Sequence, residues 1–189
     1  CSNLTDSWRI DATGAVYPWA LPTPVEPTVS AIAGSLDVGY YQVAVSYSNA
    51  TTGEEGGLAP SHNFHLANTG ALRVTLPAPV VGATHINIYV STVNGAAPLR
   101  QATVPVGTSS VDITSIAMDK RPGTQRFEAP LPAGRPFWFN GQLCVTNGKD
   151  LFYGIPARPG YYKPAEGYIP FPDTIAIAAG NQFGLYAAT

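Results

Sequence analysis

Gly39-Tyr40-Tyr41-Gln42-Val43-Ala44-Val45-Ser46-Tyr47 is the stretch from which the fold can be read. Tyr41, Val43, Val45 and Tyr47 alternate with Tyr40, Gln42, Ala44 and Ser46. Successive side chains on a strand point to opposite faces, so this alternation marks a strand with one apolar and one largely polar face, as a half-buried antiparallel strand requires. The run ends at Ser48-Asn49 and a turn-prone stretch, Thr51-Thr52-Gly53-Glu54-Glu55-Gly56-Gly57.

Working outward, a second strand is predicted around 58–64. A third covers 71–76, where Leu72, Val74 and Leu76 alternate with Arg73 and Thr75. Ile86, Ile88 and Val90 then alternate with His85, Asn87 and Tyr89, ending at the turn signal Asn94-Gly95. Ala102, Val104, Val111 and Ile113 complete the set. Short strands separated by turn chemistry every ~8–12 residues predict a β-sandwich of the immunoglobulin or fibronectin type III kind over 37–117. That span is short for the class, so one edge strand is expected from the preceding segment. Residues 1–36 otherwise read as an extended, proline-rich linker (Pro18, Pro22, Pro24, Pro27), with Trp8, Val16, Tyr17 and Trp19 as its anchors.

A second join is predicted over 118–129, and a different pattern over 130–189. Phe137-Trp138-Phe139, Gln142–Val145 and Leu151-Phe152-Tyr153 are separated by Asn140-Gly141 and Asn147-Gly148, which describes a three-strand meander. A loop rich in proline and tyrosine follows, and then Ile175 and Ile177 alternate with Ala176 and Ala178 before a turn at Gly180-Asn181. The run to Thr189 reads as mid-sheet, so the native chain is expected to continue. The segments 31–36 and 114–119 have room for one helical turn each. Together these readings predict an all-β chain.

Composition agrees. Of 189 residues, 12% are charged and 45% are apolar, with 19 Gly and 18 Pro; an average soluble domain carries about 25% charged residues. Turn formers have replaced the charges that long surface helices would need. The net charge is −2, and the ten basic residues are scattered, so no sequence-specific nucleic-acid partner is expected. No stretch reaches the ~20 apolar residues of a membrane-spanning helix. Cys1-Ser2-Asn3 suits the start of a mature bacterial lipoprotein, with membrane attachment only if Cys1 carries lipid; an arbitrary chain boundary explains it equally well. Cys144 reads as a buried free thiol, with a Cys1–Cys144 bridge left open.

Residues with chemical potential do not form a constellation. His62 and His65 sit three apart, on opposite faces of a strand, which spoils a shared metal site. His85 belongs to a polar strand face. Glu54 and Glu55 read as a solvated hairpin tip, and neither Asp6/Asp11 nor Asp112/Asp119 has the spacing of a calcium loop. Asn3-Leu4-Thr5 and Asn49-Ala50-Thr51 match a glycosylation sequon, which occurs often by chance. No cofactor, metal or catalytic residue is expected, and the chain reads as a non-enzyme. The aromatics carry more information: Tyr161, Tyr162, Tyr168 and Phe171 interleave with Pro159, Pro164, Pro170 and Pro172. Such loops present flat apolar faces to glycans or peptides, or pack between neighbouring subunits. Trp8, Trp19, Tyr161, Tyr162, Tyr168 and Phe171 are therefore the candidate interface residues.

The segment 39–47 with Thr52-Gly53-Glu54-Glu55-Gly56 resembles the fibronectin-type-III-like inserts of phage virion proteins. Phe139-Asn140-Gly141, Asn147–Tyr153, Ile155–Gly160 and Gly184-Leu185-Tyr186 resemble a propeller-like blade of tail-tube-end or nozzle-type proteins of tailed phages. The resemblance covers about two-thirds of the chain and implies a structural role in a tail or neck, docked to copies of itself in a ring and to neighbouring tail or neck proteins, with the virion as location. A single blade cannot close a propeller, which takes about four or more, so the blade-like part is expected either to be incomplete or to pack its sheet on another subunit. The rival expectations are a surface lipoprotein or adhesin at the bacterial cell surface, and a glycan-binding accessory module.

Overall fold

A computed structural model describes residues 7–10, 12–118 and 128–189. Cys1, the Asn3 sequon, Asp6, Asp11 and most of the 118–129 join lie outside the described residues. Among those described the fold is all-β, without a helix; the segments with room for a helical turn, 31–36 and 114–118, are strand and irregular chain. The chain divides into two compact units, Leu21–Arg126 and a second made of Cys1–Ala20 with Phe127–Thr189.

This division corrects the reading of 1–36 as one linker. Strands β1 (Trp8–Ile10) and β2 (Val16–Pro18) pair as a small antiparallel hairpin, with Trp8 opposite Pro18. The next strand, β3 (Thr28–Leu36), belongs to the Leu21–Arg126 unit and is the edge strand that the short span called for. The physical reason is where the prolines stop. None follows Pro27 before Leu36, so every amide of β3 can join a ladder.

The Leu21–Arg126 unit continues with β4 (Gly39–Asn49), β5 (Glu54–Glu55), β6 (His62–Leu66), β7 (Gly70–Thr75), β8 (His85–Val90), β9 (Leu99–Pro105) and β10 (Ser110–Ile113). One sheet has the order β10-β7-β3; the other runs β5-β4-β8-β9, with β6 on β4. Strand β4 is long enough to hold β8 along one edge, through Val43–Ser48, while β6 and β5 share the other. The register places Val43 opposite Val90, Val45 opposite Ile88 and Tyr47 opposite Ile86. These six are buried in one core with Val29, Leu66, Leu72, Val74 and Ile113 from the other strands. The alternation read from 40–47 therefore points its apolar face onto the opposing sheet, in a β-sandwich-like arrangement. The Asn94-Gly95 signal proves to be part of a longer loop, Ser91–Pro98: Asn94 has φ 57°, and its amide bonds the Tyr40 carbonyl at 2.7 Å.

The other unit adds β11 (Ala129–Pro130), β12 (Arg135–Phe139), β13 (Gln142–Asn147), β14 (Asp150–Tyr153), β15 (Tyr161–Tyr162), β16 (Tyr168–Pro170), β17 (Ile177–Asn181) and β18 (Gly184–Ala188). The meander is present as β12-β13-β14, with β16 as a fourth strand. Asn140 and Gly141 both have positive φ (48° and 73°) between the paired residues Phe139 and Gln142, the backbone that a tight two-residue hairpin needs. The second turn is one residue later than Asn147-Gly148 suggests: Asn147 pairs with Asp150, and the loop is Gly148-Lys149. Among the described residues of this unit, Ala20, Leu131, Cys144, Val145, Leu151, Tyr161 and Ile175 are buried apolar residues. A separate two-stranded hairpin, β17-β18, turns at Gln182-Phe183, two residues beyond the expected Gly180-Asn181.

Candidate functional site

Two places gather polar or aromatic side chains in a way that packing alone does not require, one in each unit. The first is the outer face of the β4-β8-β9 sheet. Behind the core pairs, the register sets Ser46 opposite Asn87, and Asn87 opposite Thr103. Glu55, on the returning strand of the β4-β5 hairpin, reaches over this row. Its Oε1 accepts from the Ser46 hydroxyl (2.5 Å), the Asn87 amide (2.9 Å) and the Tyr89 hydroxyl. Thr103 donates to Asn87 Oδ1 at 2.7 Å.

Glu55 is therefore not the solvated tip expected from its turn position. Ser46, Asn87 and Tyr89 are buried, and a buried donor needs an acceptor; the carboxylate supplies it. Burial, the hydrogen bond to Glu55 and the charge of Glu55 all push the Tyr89 phenol pKa upward. Beside this network lies an open cleft of about 250 Å³, bordered by Glu54, Glu55, His85, Asn87, Arg100 and Thr103 among others. The arrangement binds protein to protein: the same Glu55 oxygen takes all three hydrogen bonds. His85 Nδ1 is engaged with the Thr84 hydroxyl at 2.9 Å.

The other histidines do not converge either. His62 Nδ1 is 2.6 Å from Glu26 Oε1, whereas His65 stacks on Tyr40 with ring centroids 4.6 Å apart. Among the described residues no three His, Cys, Asp or Glu side chains gather as a metal site. Among the described residues no helix is long and apolar enough to cross a membrane, which says nothing of a β-barrel. Cys144 is a buried free cysteine whose pKa is pushed up by desolvation.

The second place is aromatic. The structure separates the six candidate interface residues. Tyr161 is buried, with the Arg158 guanidinium over its ring at 4.7 Å, and Arg158 is itself paired with Glu128. Tyr162 is partly buried and meets Phe152 edge-on at 5.2 Å. Trp19 is partly buried beside Gly160, and its indole Nε1 has no hydrogen-bond partner among the described residues. Phe171 is partly buried, and its amide bonds the Lys149 carbonyl at 2.8 Å. Of the six only Trp8 and Tyr168 stand exposed, at 37% and 43%. Four of the six are thus packing residues at least in part, and an aromatic pair of this kind contributes about 0.5–1.5 kcal/mol beyond its buried area.

The most exposed aromatics among the described residues of this unit are not among those six. Trp138 is 61% exposed, Phe183 82% and Tyr186 58%; Ile177 adds a further 62%. The period of two was a usable signal for Trp138, because it sets that ring on the opposite face from Phe137 and Phe139. On the β17-β18 hairpin, Ile177 faces Ala188 and Ala179 faces Tyr186 across the ladder, and all four are exposed. The opposite face holds Ala178, Gly180, Leu185 and Ala187 in partial burial. Gly180 lies against Phe139, so close that a Cβ there would come within 2.3 Å of the ring. Between the β12-β13 and β17-β18 turns this leaves a cleft of about 410 Å³ lined by Trp138, Phe139, Asn140, Gly180, Asn181, Gln182, Phe183 and Gly184.

Comparison with known proteins adds no relative: no family model, no curated protein and no solved structure matches the chain.

Proposed function

We propose that the chain is a structural component of a bacteriophage virion, in the tail or neck, that works by docking to neighbouring subunits and not by catalysis. The observation that carries the docking reading is the outward face of the β17-β18 hairpin, where Ile177, Ala179, Tyr186 and Ala188 stand exposed on one side of a two-stranded sheet. Water-exposed apolar strands are a liability that covering relieves, at roughly 25 cal/mol for each Å² of apolar surface removed from water. A second copy or a neighbouring subunit would cover this face, and a closed ring needs such heterologous contacts. The assignment to a phage particle is supported by the resemblance of 39–56 and 139–186 to virion proteins.

Light scattering on the full chain, with and without the pair Ile177→Ser and Tyr186→Ser, tests the docking reading. A concentration-dependent assembly that the double variant abolishes is the expected result. A wild-type chain that stays monomeric throughout, and is missing from phage particles purified from the source, overturns the proposal.

A further inference from the structure

We propose that the cleft between the Asn140-Gly141 and Gln182-Phe183 turns is a binding site for an uncharged saccharide. This inference is independent of the docking reading, which uses the Ile177 and Tyr186 face. Three observations carry it.

The first is the pair of rings. Trp138 and Phe183 line one cleft, although they belong to different hairpins and are 61% and 82% exposed. Exposing two large rings around a concavity has no packing benefit, whereas the apolar C–H face of a pyranose stacks on such a ring. The volume, about 410 Å³, lies within the roughly 300–1,000 Å³ typical of small-ligand sites.

The second is charge. Among the described residues no Lys, Arg, His, Asp or Glu lines the cleft, so none of them would recognise a phosphate, a carboxylate or an ammonium group there. The polar lining consists of carboxamides. Asn181 Oδ1 is committed to the turn, accepting from the Phe183 and Gly184 amides at 2.8 and 3.2 Å. The amides of Asn140 and Gln182 have no side-chain hydrogen bond among the described residues. Each offers a donor and an acceptor, matching sugar hydroxyls, which both donate and accept. A proline-rich peptide also stacks on aromatic rings, but its prolines present carbonyl acceptors without N–H donors and would use only half of each amide.

The third is preorganisation. The Asn140-Gly141 turn is set by two positive φ angles, the Asn181 turn by its own side chain, and Gly180 seats one hairpin against Phe139 of the other. A site formed before the ligand arrives loses less entropy on binding.

The test is binding of the full chain to an array of neutral and acidic glycans that includes cello-, malto- and chito-oligosaccharides, followed by calorimetric titration with the strongest neutral binder. Trp138→Ala and Phe183→Ala are each expected to weaken binding about tenfold or more, and Gln182→Ala to weaken it by less. Ile177→Ser is expected to leave it unchanged while reducing assembly. The rings are largely in water, so these variants should fold, and thermal melts of each confirm it. Retention of no neutral glycan, retention of acidic glycans only, binding unaffected by removal of both rings, or capture of a polyproline peptide in place of the sugars would each overturn the proposal.

Discussion

The Tyr89 hydroxyl donates to the Glu55 carboxylate across a separation of 34 residues, and this contact ties the edge strand β5 to β8 in the middle of the five-stranded sheet. Ser46 and Asn87 donate to the same oxygen. Three donors from two strands thus depend on one acceptor carried by the two-residue strand β5.

Replacing Glu55 with alanine removes that acceptor and leaves buried donors unsatisfied. Each such group costs about 1–3 kcal/mol, and they share one site, so a loss of about 2–4 kcal/mol is expected in urea unfolding. Glu55→Gln keeps one carbonyl oxygen and is expected to lose less. Equal stability of wild type and Glu55→Ala would show that water replaces the carboxylate at no cost.

Gly180 gives a packing prediction. A methyl group there meets the Phe139 ring at 2.3 Å, and overpacking of this kind costs about 1–3 kcal/mol. Gly180→Ala is expected to lower the melting temperature, and Phe139→Leu in the same chain to recover part of the loss. Additive effects of the two substitutions in a double-mutant cycle would show that the two positions do not share this contact.

Alkaline pH should reveal the buried phenols. Burial raises the pKa of Tyr41, Tyr47 and Tyr162, and raises that of Tyr89 with the help of Glu55. A group whose folded pKa exceeds its unfolded one contributes stability that is complete below the unfolded value, about 10 for tyrosine, and is lost as pH rises through the folded value. Absorbance at 295 nm should therefore show some of the ten tyrosines ionising late, together with loss of the β-sheet circular dichroism. Simultaneous ionisation of all ten in an intact fold would contradict this burial.

Cys144 is 1% exposed, and desolvation disfavours its thiolate. Iodoacetamide at mildly alkaline pH should label it slowly in the native protein and rapidly in urea, as followed by peptide mapping, which separates it from Cys1. Rapid native labelling would mean that the β13 strand opens readily.

The faces of the strands were legible in the sequence, and the partners of those faces were not. Tyr41, Val43, Val45 and Tyr47 carry their destination in the alternation itself, and all four are buried. Asn140-Gly141 marked its hairpin because few other residues accept two successive positive φ angles. Tyr161 and Trp138 show the opposite case. Both are large rings in strand-like surroundings, yet Tyr161 is covered by Arg158 and Trp138 stands in water, and no local pattern distinguishes them. The sequence called for an edge strand from 1–36 but did not place it, because 28–36, with its mixed exposure pattern, has a weak alternation of its own.

By itself the sequence determined that this chain is built of antiparallel strands, how their faces divide between core and water, and where several of its turns fall. Those properties follow from residues next to or two apart from each other, through backbone sterics and the strand's period of two. Only the tertiary structure decided that Glu55 serves a buried network, that Tyr161 is packing, and that Trp138 and Phe183 line one cleft. Each of those depends on contacts between segments 30 or more residues apart, for Tyr161 the pairing with Pro130, and a distant covering segment helps to settle whether a side chain meets protein or solvent.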